Sequence, residues 1–281
     1  MAGSRRGLAA ALLGPLLFLG LSFAFHSPAR AWGEEGHSII AEIAQRRLND
    51  KAAARVAAIL GKGVSLASVS AWADDVRGAR PETYNWHFVD IPMAENSYVP
   101  ARDCRPTPRG DCVIAAIARL LATLKDAAAT PTQSREALRY LVHFVADVHQ
   151  PLHTLLEDQG GNQFPVRLYT DPRRRGKQPT NLHAAWDVGL IRVYYYAWGS
   201  YVDFLESNWL PGRDAAALAS GTLEDWVLES HAAAVKVAYA ATKGADLDDA
   251  YIAAARPVID HAMGAGGLRL ARLLNEALGA N

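Results

Sequence analysis

Residues 135–153 read R-E-A-L-R-Y-L-V-H-F-V-A-D-V-H-Q-P-L-H. Apolar residues recur there at every third or fourth position, which predicts an amphipathic α-helix over Arg135–Val148. His143 and Asp147 are four residues apart, so both side chains lie on the same face of this helix. Both can therefore bind one metal cluster. A single His/Asp pair at this spacing is commonly only a hydrogen bond on a helix surface, so the interpretation depends on further ligands.

The residues that follow supply such ligands. Pro151 ends or bends the helix, which allows His153 to return to the cluster from another direction. His183 and Asp187, in N-L-H-A-A-W-D, repeat the spacing of four. These residues extend the predicted metal cluster to a second chain segment.

Two more candidates lie upstream, beside tryptophans. Asp74 is in A-W-A-D-D-V-R and His87 is in N-W-H-F-V-D. Imidazole nitrogens mixed with carboxylate oxygens, without thiolates, are the ligands that zinc takes in a catalytic site. Burying so many ionisable groups without a cation would be costly.

The N-terminal segment has the features of a secretory signal peptide, residues 1–31. Arg5 and Arg6 precede an apolar run over 8–25, and A-R-A at 29–31 matches a cleavage site. The alternative is a membrane anchor, but glycines and a proline interrupt the apolar run. We expect cleavage after Ala31, a secreted or periplasmic location and no membrane anchor in the mature protein.

Cleavage at this point would make Trp32 the first residue of the mature chain. A free α-amine has a pKa of about 8, so zinc can displace its proton, and the carbonyl of the same residue completes a five-membered chelate. Trp32 and His37 could thus hold one metal ion. A histidine near a new N-terminus is otherwise usually a surface residue.

The spacing of apolar residues predicts a mainly α fold. One segment, Gln163–Tyr169, alternates like a strand and is expected to form half of a small β-hairpin. Long irregular loops are expected at 61–70, 90–112 and 157–182. No linker or repeat divides 32–281, which we interpret as a single domain. Helices are predicted over Ser38–Leu48, Val113–Lys125, Arg135–Val148, Asp187–Tyr196, Leu223–Ala241 and Ala265–Leu278.

The charge composition limits the class of binding partner. Lys plus Arg and Asp plus Glu number 29 each, and loss of the signal peptide would leave a slightly acidic protein. A broad basic groove for duplex DNA is therefore not expected. The basic stretch Arg173–Arg175 is expected to be a solvated loop.

Two cysteines, Cys104 and Cys112, enclose a short polar loop. In an exported chain a disulfide that closes this loop is the natural interpretation. The alternative, two free thiols or a metal site, suits a cytosolic chain better.

These motifs closely resemble those of the zinc-dependent single-strand-specific nucleases of the fungal nuclease S1 and nuclease P1 type, with plant and bacterial relatives. The resemblance covers essentially the whole mature chain and implies the multi-helix fold shared with zinc phospholipase C. It is carried by W-G-x-x-G-H (32–37), W-A-D (72–74), W-H-F (86–88), H-F-V-A-D-V-H-Q-P-L-H (143–153), G-G-N (160–162), N-L-H-A-A-W-D (181–187) and G-L-R-L-A-R-L-L-N (267–275).

The resemblance implies three Zn²⁺ ions, and every expected ligand position carries the expected residue. The first zinc would be held by Asp74, His87, His143 and Asp147. The second would be held by His153, His183 and Asp187, and the third by Trp32 through its amine and carbonyl, His37 and the bridging Asp147.

The resemblance also implies a mechanism. Closely spaced divalent ions clamp the attacking and leaving oxygens of an in-line displacement at phosphorus. A hydroxide that bridges the first and third zinc is the expected nucleophile, oriented by Asp74, and the products would carry 5′-phosphates.

Three further residues match substrate contacts. Arg77 is expected to contact the phosphate, although an exposed surface arginine is an equal alternative. Phe88 and Asp90 match a nucleotide pocket in which a ring stacks on an unpaired base and a carboxylate binds the base edge. The alternative for Phe88 is a core aromatic residue.

The chain departs from fungal members at Val188, where they have asparagine, which affects base preference. It has one candidate disulfide and no N-x-S/T sequon, features typical of a bacterial member.

The predicted function is an extracytoplasmic nuclease that degrades single-stranded RNA and DNA, with 3′-nucleotidase activity on nucleoside 3′-monophosphates and no stable protein partner. A zinc phospholipase C is the closest alternative, but its last carboxylate ligand is typically a glutamate, whereas this chain has Asp187. A non-catalytic zinc-binding protein is the alternative from another class, and Asp74 with Arg77 and Phe88 argue against it.

Overall fold

The computed structural model describes residues 32–169, 176–195 and 197–279. The predicted signal peptide and the basic stretch Arg173–Arg175 lie outside the described residues. Within them the chain is mainly helical with one two-stranded antiparallel sheet, which confirms the predicted fold class. The helices are α1 Glu34–Gln45, α2 Asp50–Leu60, α3 Leu66–Val69, α4 Trp72–Arg77, α5 Pro100–Asp103, α6 Val113–Lys125, α7 Pro131–Asp147, α8 Leu182–Ala184, α9 Leu190–Tyr194, α10 Trp198–Phe204, α11 Ala215–Ala219, α12 Leu223–Lys236 and α13 Asp249–Leu278.

Helix α7 lies at the centre of the fold. It begins with a capping box, in which the Thr130 side chain accepts from the Gln133 N–H and the Gln133 side chain accepts from the Thr130 N–H. Its residues from Tyr140 to Asp147 are all buried. A helix buried on every side presents side chains to several neighbours at once, and α7 packs against α1, α6 and α13.

The β-hairpin leads the chain directly into the second half of the predicted cluster. Strand β1 (Pro165–Leu168) pairs antiparallel with β2 (Gln178–Asn181), and Pro165 lies opposite Asn181. The Asn181 side chain then caps α8 by accepting from the Ala184 N–H at 2.8 Å. This cap fixes the helix turn that carries His183.

A disulfide joins Cys104 to Cys112, as predicted. The expected irregular loops are less irregular than the sequence indicates, because α3 lies within 61–70 and α5 within 90–112. Helix α2 was not predicted, and α13 begins at Asp249 rather than Ala265. Among the described residues, no helix combines the length and apolar character that crossing a membrane requires.

Candidate active site

Asp147, the last residue of α7, is the centre of the candidate site. Its carboxylate is fully buried. Oδ1 lies 3.2 Å from His37 Nε2, and Oδ2 lies 3.2 Å from His87 Nδ1 and 3.3 Å from His143 Nε2. Oδ1 is also 3.7 Å from His153 Nδ1. One carboxylate thus connects histidines from four chain segments.

The first ligand group combines Asp74 of α4, His87 and the α7 pair His143 and Asp147. His87 is the last residue of a 3₁₀ helix over Pro81–His87. His87 Nδ1 is 3.1 Å from His143 Nε2 and 3.6 Å from Asp74 Oδ1, which is itself 3.7 Å from His143 Nε2. Four donor atoms converge on one point.

The second group combines His153, His183 and Asp187. A 3₁₀ turn at Pro151–Thr154 redirects the chain after α7 and presents His153, as the position of Pro151 predicted. His153 Nε2 is 3.2 Å from His183 Nε2, which is 3.3 Å from Asp187 Oδ2. Asp187 lies in a π-helical turn that continues α8, a distortion frequent at functional sites.

The third group lies at the predicted mature N-terminus. Trp32 is fully buried, its carbonyl oxygen is 2.5 Å from His37 Nδ1, and the His37 ring stacks on His143 at 4.0 Å. His143 therefore lies close to both the first and the third group, whereas it was predicted to belong to the first group only. In the unprocessed chain the Trp32 nitrogen belongs to a peptide bond, so the terminal chelate stays a prediction for the processed protein.

Backbone carbonyls orient three of these imidazole rings. His143 Nδ1–H donates to Ser70 O at 2.7 Å, His153 Nδ1–H donates to His87 O at 2.8 Å, and His183 Nδ1–H donates to Gly160 O at 2.7 Å. Each bond fixes the tautomer, so that Nε2 carries the lone pair that faces the cluster. The sequence alone could not identify these carbonyls.

Burial sets the ionisation of the ligands. It lowers the pKa of His87, His143 and His153 well below the ordinary value, and it lowers the pKa of His183 to about 4. Burial raises the pKa of Asp147 well above the ordinary value. Neutral imidazoles are ready to bind a metal, and a buried cation would stabilise the carboxylates in their charged form.

The donor set fits zinc. A tetrahedral zinc with bonds of about 2.0–2.2 Å places its ligands roughly 3.3–3.6 Å apart, and the first group's donor atoms are 3.1–3.7 Å apart. In the described part of the chain, the buried oxygens Asp147 Oδ2 and Asp187 Oδ2 accept no hydrogen bond. A cation would satisfy both oxygens.

Arg77, the last residue of α4, acts on the whole cluster. Although burial is the larger effect at each ligand, its positive charge lowers the pKa of Asp147, His87 and His153. The Arg77 guanidinium also lies over the Tyr84 ring, 3.9 Å from the centroid, and donates to Tyr84 O at 3.2 Å. A fixed guanidinium beside the ligands is suited to a phosphate oxygen.

Phe88 lies between the first and second groups. His153 contacts the residues on both sides of it, because its Nδ1–H donates to His87 O and its carbonyl accepts from Val89 N–H at 2.9 Å. The Phe88 ring is half-buried and meets Tyr84 edge-on at 6.2 Å. A half-buried ring that directly follows a candidate metal ligand in the chain is suited to stacking on a base.

Asp90 is half-buried two residues beyond Phe88. Burial, helped by the nearby Asp103 charge, raises the pKa of Asp90 to about 6. Its role in binding a base edge stays a prediction.

Gln150 was missed by the sequence reasoning although it lies within H-Q-P-L-H. Its side chain is fully buried, its Nε2 donates to Asp187 Oδ1, and its Oε1 accepts from Leu152 N–H at 2.5 Å. Gln150 therefore occupies one oxygen of Asp187 and leaves the other directed at His183. Its place between two histidines of one motif was the available signal.

The chain also matches a known protein family over most of its length. The model of the family described as S1/P1 Nuclease matches residues 32–279. The chain belongs to this family.

Relatives of the chain include plant and fungal nucleases. The chain is 34% identical to Endonuclease 2 of Arabidopsis thaliana over 275 residues, 88% of this chain and 91% of the relative. It is 30% identical to Nuclease P1 of Penicillium citrinum over 279 residues, 89% of this chain and 98% of the relative. It is 25% identical to Nuclease S1 of Aspergillus oryzae over 272 residues, 87% of this chain and 91% of the relative. The likeness therefore extends over nearly the full length of each.

Proposed function

We propose that this chain is a zinc-dependent nuclease that hydrolyses phosphodiester bonds in single-stranded RNA and DNA, and that it also dephosphorylates nucleoside 3′-monophosphates. The observation that carries the proposal is the convergence of three His/Asp groups on Asp147, beside Arg77 and Phe88. Membership of the S1/P1 nuclease family supports it.

The ligands divide among three zinc ions. Asp74, His87, His143 and Asp147 would hold the first, His153, His183 and Asp187 the second, and Trp32, His37 and Asp147 the third. Bound zinc would supply Lewis acidity at phosphorus and make water acidic enough to attack at neutral pH.

The chain's own residues then have separate tasks. Arg77 binds and neutralises a non-bridging phosphate oxygen, and Asp74 orients the attacking water. Phe88 stacks on the base next to the scissile bond, and Asp90 binds the base edge. Attack at phosphorus breaks the bond to the 3′-oxygen, so the new phosphate stays on the 5′ side of the next nucleotide. Stacking requires an unpaired base, which accounts for a preference for single strands.

We also propose that residues 1–31 are removed on export, so that the enzyme works outside the cytoplasm as a single domain over 32–281. Residues 5–31 have the charged, apolar and small-residue segments of a signal peptide. N-terminal sequencing of the exported protein should give Trp32 as the first residue. Any other first residue would contradict the proposed cleavage site.

The test of the activity uses purified protein that begins at Trp32. It is incubated with single-stranded RNA, single-stranded DNA, duplex DNA, a nucleoside 3′-monophosphate and phosphatidylcholine vesicles, with and without a zinc chelator. We expect cleavage of the single strands and release of phosphate from the monophosphate, both lost with chelator and restored by zinc. Hydrolysis of phosphatidylcholine alone, or zinc binding without turnover, would refute the nuclease assignment.

A further inference from the structure

A second arginine, Arg109, lies near Arg77, in the loop that the disulfide closes. Arg109 is exposed, and its guanidinium lies over the Tyr84 ring, 3.5 Å from the centroid. Arg77 lies over the same ring at 3.9 Å. Two guanidinium groups this close to one ring cannot share a face, so Tyr84 separates Arg77 on one side from Arg109 on the other.

The loop is held tightly to the turn that carries His87. Asn85 N–H donates to Arg109 O at 2.8 Å, and the Asn85 side chain donates to Gly110 O at 3.2 Å. Gly110 has a φ of +98°, and a Cβ there would lie 2.7 Å from the Trp86 ring. Only glycine permits this approach. Arg109 is thus fixed relative to the metal ligands.

No described carboxylate neutralises the charge of Arg109. Its neighbours Arg80 and Arg119 are paired, with Glu136 at 2.6 Å and Asp111 at 2.5 Å. Among the described residues, Arg109 forms no such ion pair, and its contact is with the face of an aromatic ring. A guanidinium held over the face of a ring by this contact can still use its N–H groups for bidentate binding of a phosphate.

We infer that Arg109, held by Tyr84, binds the phosphate of the nucleotide adjacent to the scissile bond. This inference rests on the proposed nuclease function. In that function Arg77 binds the scissile phosphate, and one aromatic ring separates it from Arg109, so a strand that passes the ring presents its next phosphate to Arg109. A nucleoside 3′-monophosphate has no second phosphate and does not use this contact. Arg109 is therefore a specificity-determining residue that favours strands over mononucleotides.

The test compares Arg109→Ala with the wild type on a single-stranded oligonucleotide and a nucleoside 3′-monophosphate. The matched control is Arg105→Ala, which removes the same charge from the same loop, because Arg105 is exposed and bonds only to Ala101 O in the described structure. We expect Arg109→Ala to raise KM for the oligonucleotide by about 3- to 10-fold, with kcat nearly unchanged. For the monophosphate we expect both constants to stay within about twofold of the wild type.

Salt dependence provides a second readout. Loss of one phosphate contact to a single strand should reduce the slope of log affinity against log salt by about 0.7. Arg109→Lys keeps the charge but loses the stacked, bidentate geometry, so its slope should resemble the wild type while its KM rises.

An unchanged oligonucleotide KM and slope in Arg109→Ala would overturn the inference and leave Arg109 as a clamp on Tyr84. An equal effect of Arg105→Ala would also overturn it, because the loop's general charge would then be responsible. If the wild type cleaves neither substrate, the proposed function itself fails.

Discussion

At the residue scale, we expect Asp147 to determine both activity and stability. It is fully buried and contacts His37, His87, His143 and His153. Replacing its charge with an amide removes the one anion that the first and third metal groups share. The consequence should reach the fold as well as the reaction, because metal binding contributes to the free energy of unfolding.

Asp147→Asn should therefore lose zinc and activity together. Loss of a residue that only hydrogen-bonds to a metal ligand typically lowers activity by about 10- to 100-fold. We expect a larger loss of activity in Asp147→Asn, together with a lower melting temperature. Asp260→Asn is the control, since Asp260 is a buried carboxylate that bonds Tyr201 and Arg256 instead. Zinc content measured by mass spectrometry should fall only in Asp147→Asn. Full zinc content in that variant would contradict the role of Asp147.

Gln150 should act on the second zinc alone. Gln150→Met removes the hydrogen bond that holds Asp187 Oδ1, and we expect zinc affinity at the second group to fall by about 10- to 100-fold. Gln45→Met is the matched control, because Gln45 also accepts from a backbone N–H, that of Leu66 at 2.6 Å, but lies away from the metal ligands. Zinc titration with a chelating dye reports the affinity. Equal loss in both variants would show a general effect on stability.

At the element scale, the contact between α1 and α13 positions His37. A Cβ on Gly267 of α13 would overlap the Ile43 side chain of α1 and lie 3.3 Å from Ile40 O. Both residues lie on the helix that carries His37.

Gly267→Ala should therefore push α1 away and destabilise the protein by about 1–3 kcal/mol. Gly199→Ala is the control, since a Cβ at Gly199 in α10 meets no atom within 4 Å. Its effect on stability should be close to zero or slightly favourable. Chemical denaturation of both variants measures the difference, and an equal stability would show that the helices have room to adjust.

A charged cluster joins α12 to α13 and gives the fold an acid limit. The Glu229 side chain is 40% exposed. Although its partial burial opposes the shift, the hydrogen bond from His261 and the Arg269 charge lower the pKa of Glu229 to about 2. A carboxylate with a lowered pKa stabilises the fold above its unfolded pKa of about 4.3, and this contribution is lost as pH falls toward 2.

Glu229→Gln should consequently be less stable than the wild type by about 1 kcal/mol at pH 6, after allowance for solvent screening. The difference should shrink through pH 4 and vanish near pH 2. Urea denaturation at several pH values tests this. A difference that stays constant with pH would mean that packing, rather than charge, connects the two helices.

The elements also show what the sequence could and could not predict. The first and last residues of helix α6 were predicted correctly, because Cys112 directly precedes the helix and its apolar face is regular. Helix α2 is rich in alanine and buries Ala52, Val56 and Leu60 at a regular spacing of four, a helical pattern that the prediction from sequence missed. In α13, Pro257 and the glycines near 265 disfavour a helix locally, but packing against α1 and α7 outweighs this preference.

Some features of the candidate site could likewise be predicted from the sequence, and others could not. The histidines and aspartates could be recognised because their spacing within helices and motifs is local. The contacts of Gln150 with Asp187, and of Arg109 with Tyr84, join segments that are distant in sequence. Only the folded chain brings such partners together, so residue spacing carries no signal for them.

At the scale of the whole molecule, charge is balanced. Lys plus Arg and Asp plus Glu number 29 each in the full chain, and loss of the predicted signal peptide would leave a slightly acidic protein. A net excess of positive charge therefore does not attract nucleic acid to the protein. In the proposed nuclease, substrate binding would then depend on local groups, namely the zinc ions, Arg77, Arg109 and the Phe88 ring. This arrangement favours a strand whose bases and phosphates are individually accessible.

Trp32, the predicted start of the mature chain, is buried beside the candidate metal ligands. Trp32 is fully buried, and Gly33 N–H donates to Asp187 O at 2.9 Å, so the predicted N-terminus is tied to a ligand of the second group as well as to His37. A Cβ on Gly33 would lie 2.5 Å from Val188 Cγ2. There is little room for the backbone at Gly33 to shift.

Retention of Ala31 should therefore cost the protein one zinc ion. An added residue converts the Trp32 amine to an amide. Zinc cannot displace the amide proton at neutral pH, so the nitrogen cannot bind the metal. We expect protein that begins at Trp32 to bind one more zinc per chain and to melt at a higher temperature than protein that begins at Ala31. An extension of one residue at the C-terminus serves as the control and should change neither quantity. Equal zinc content and equal rate in the two N-terminal forms would show that the terminal amine is not a ligand.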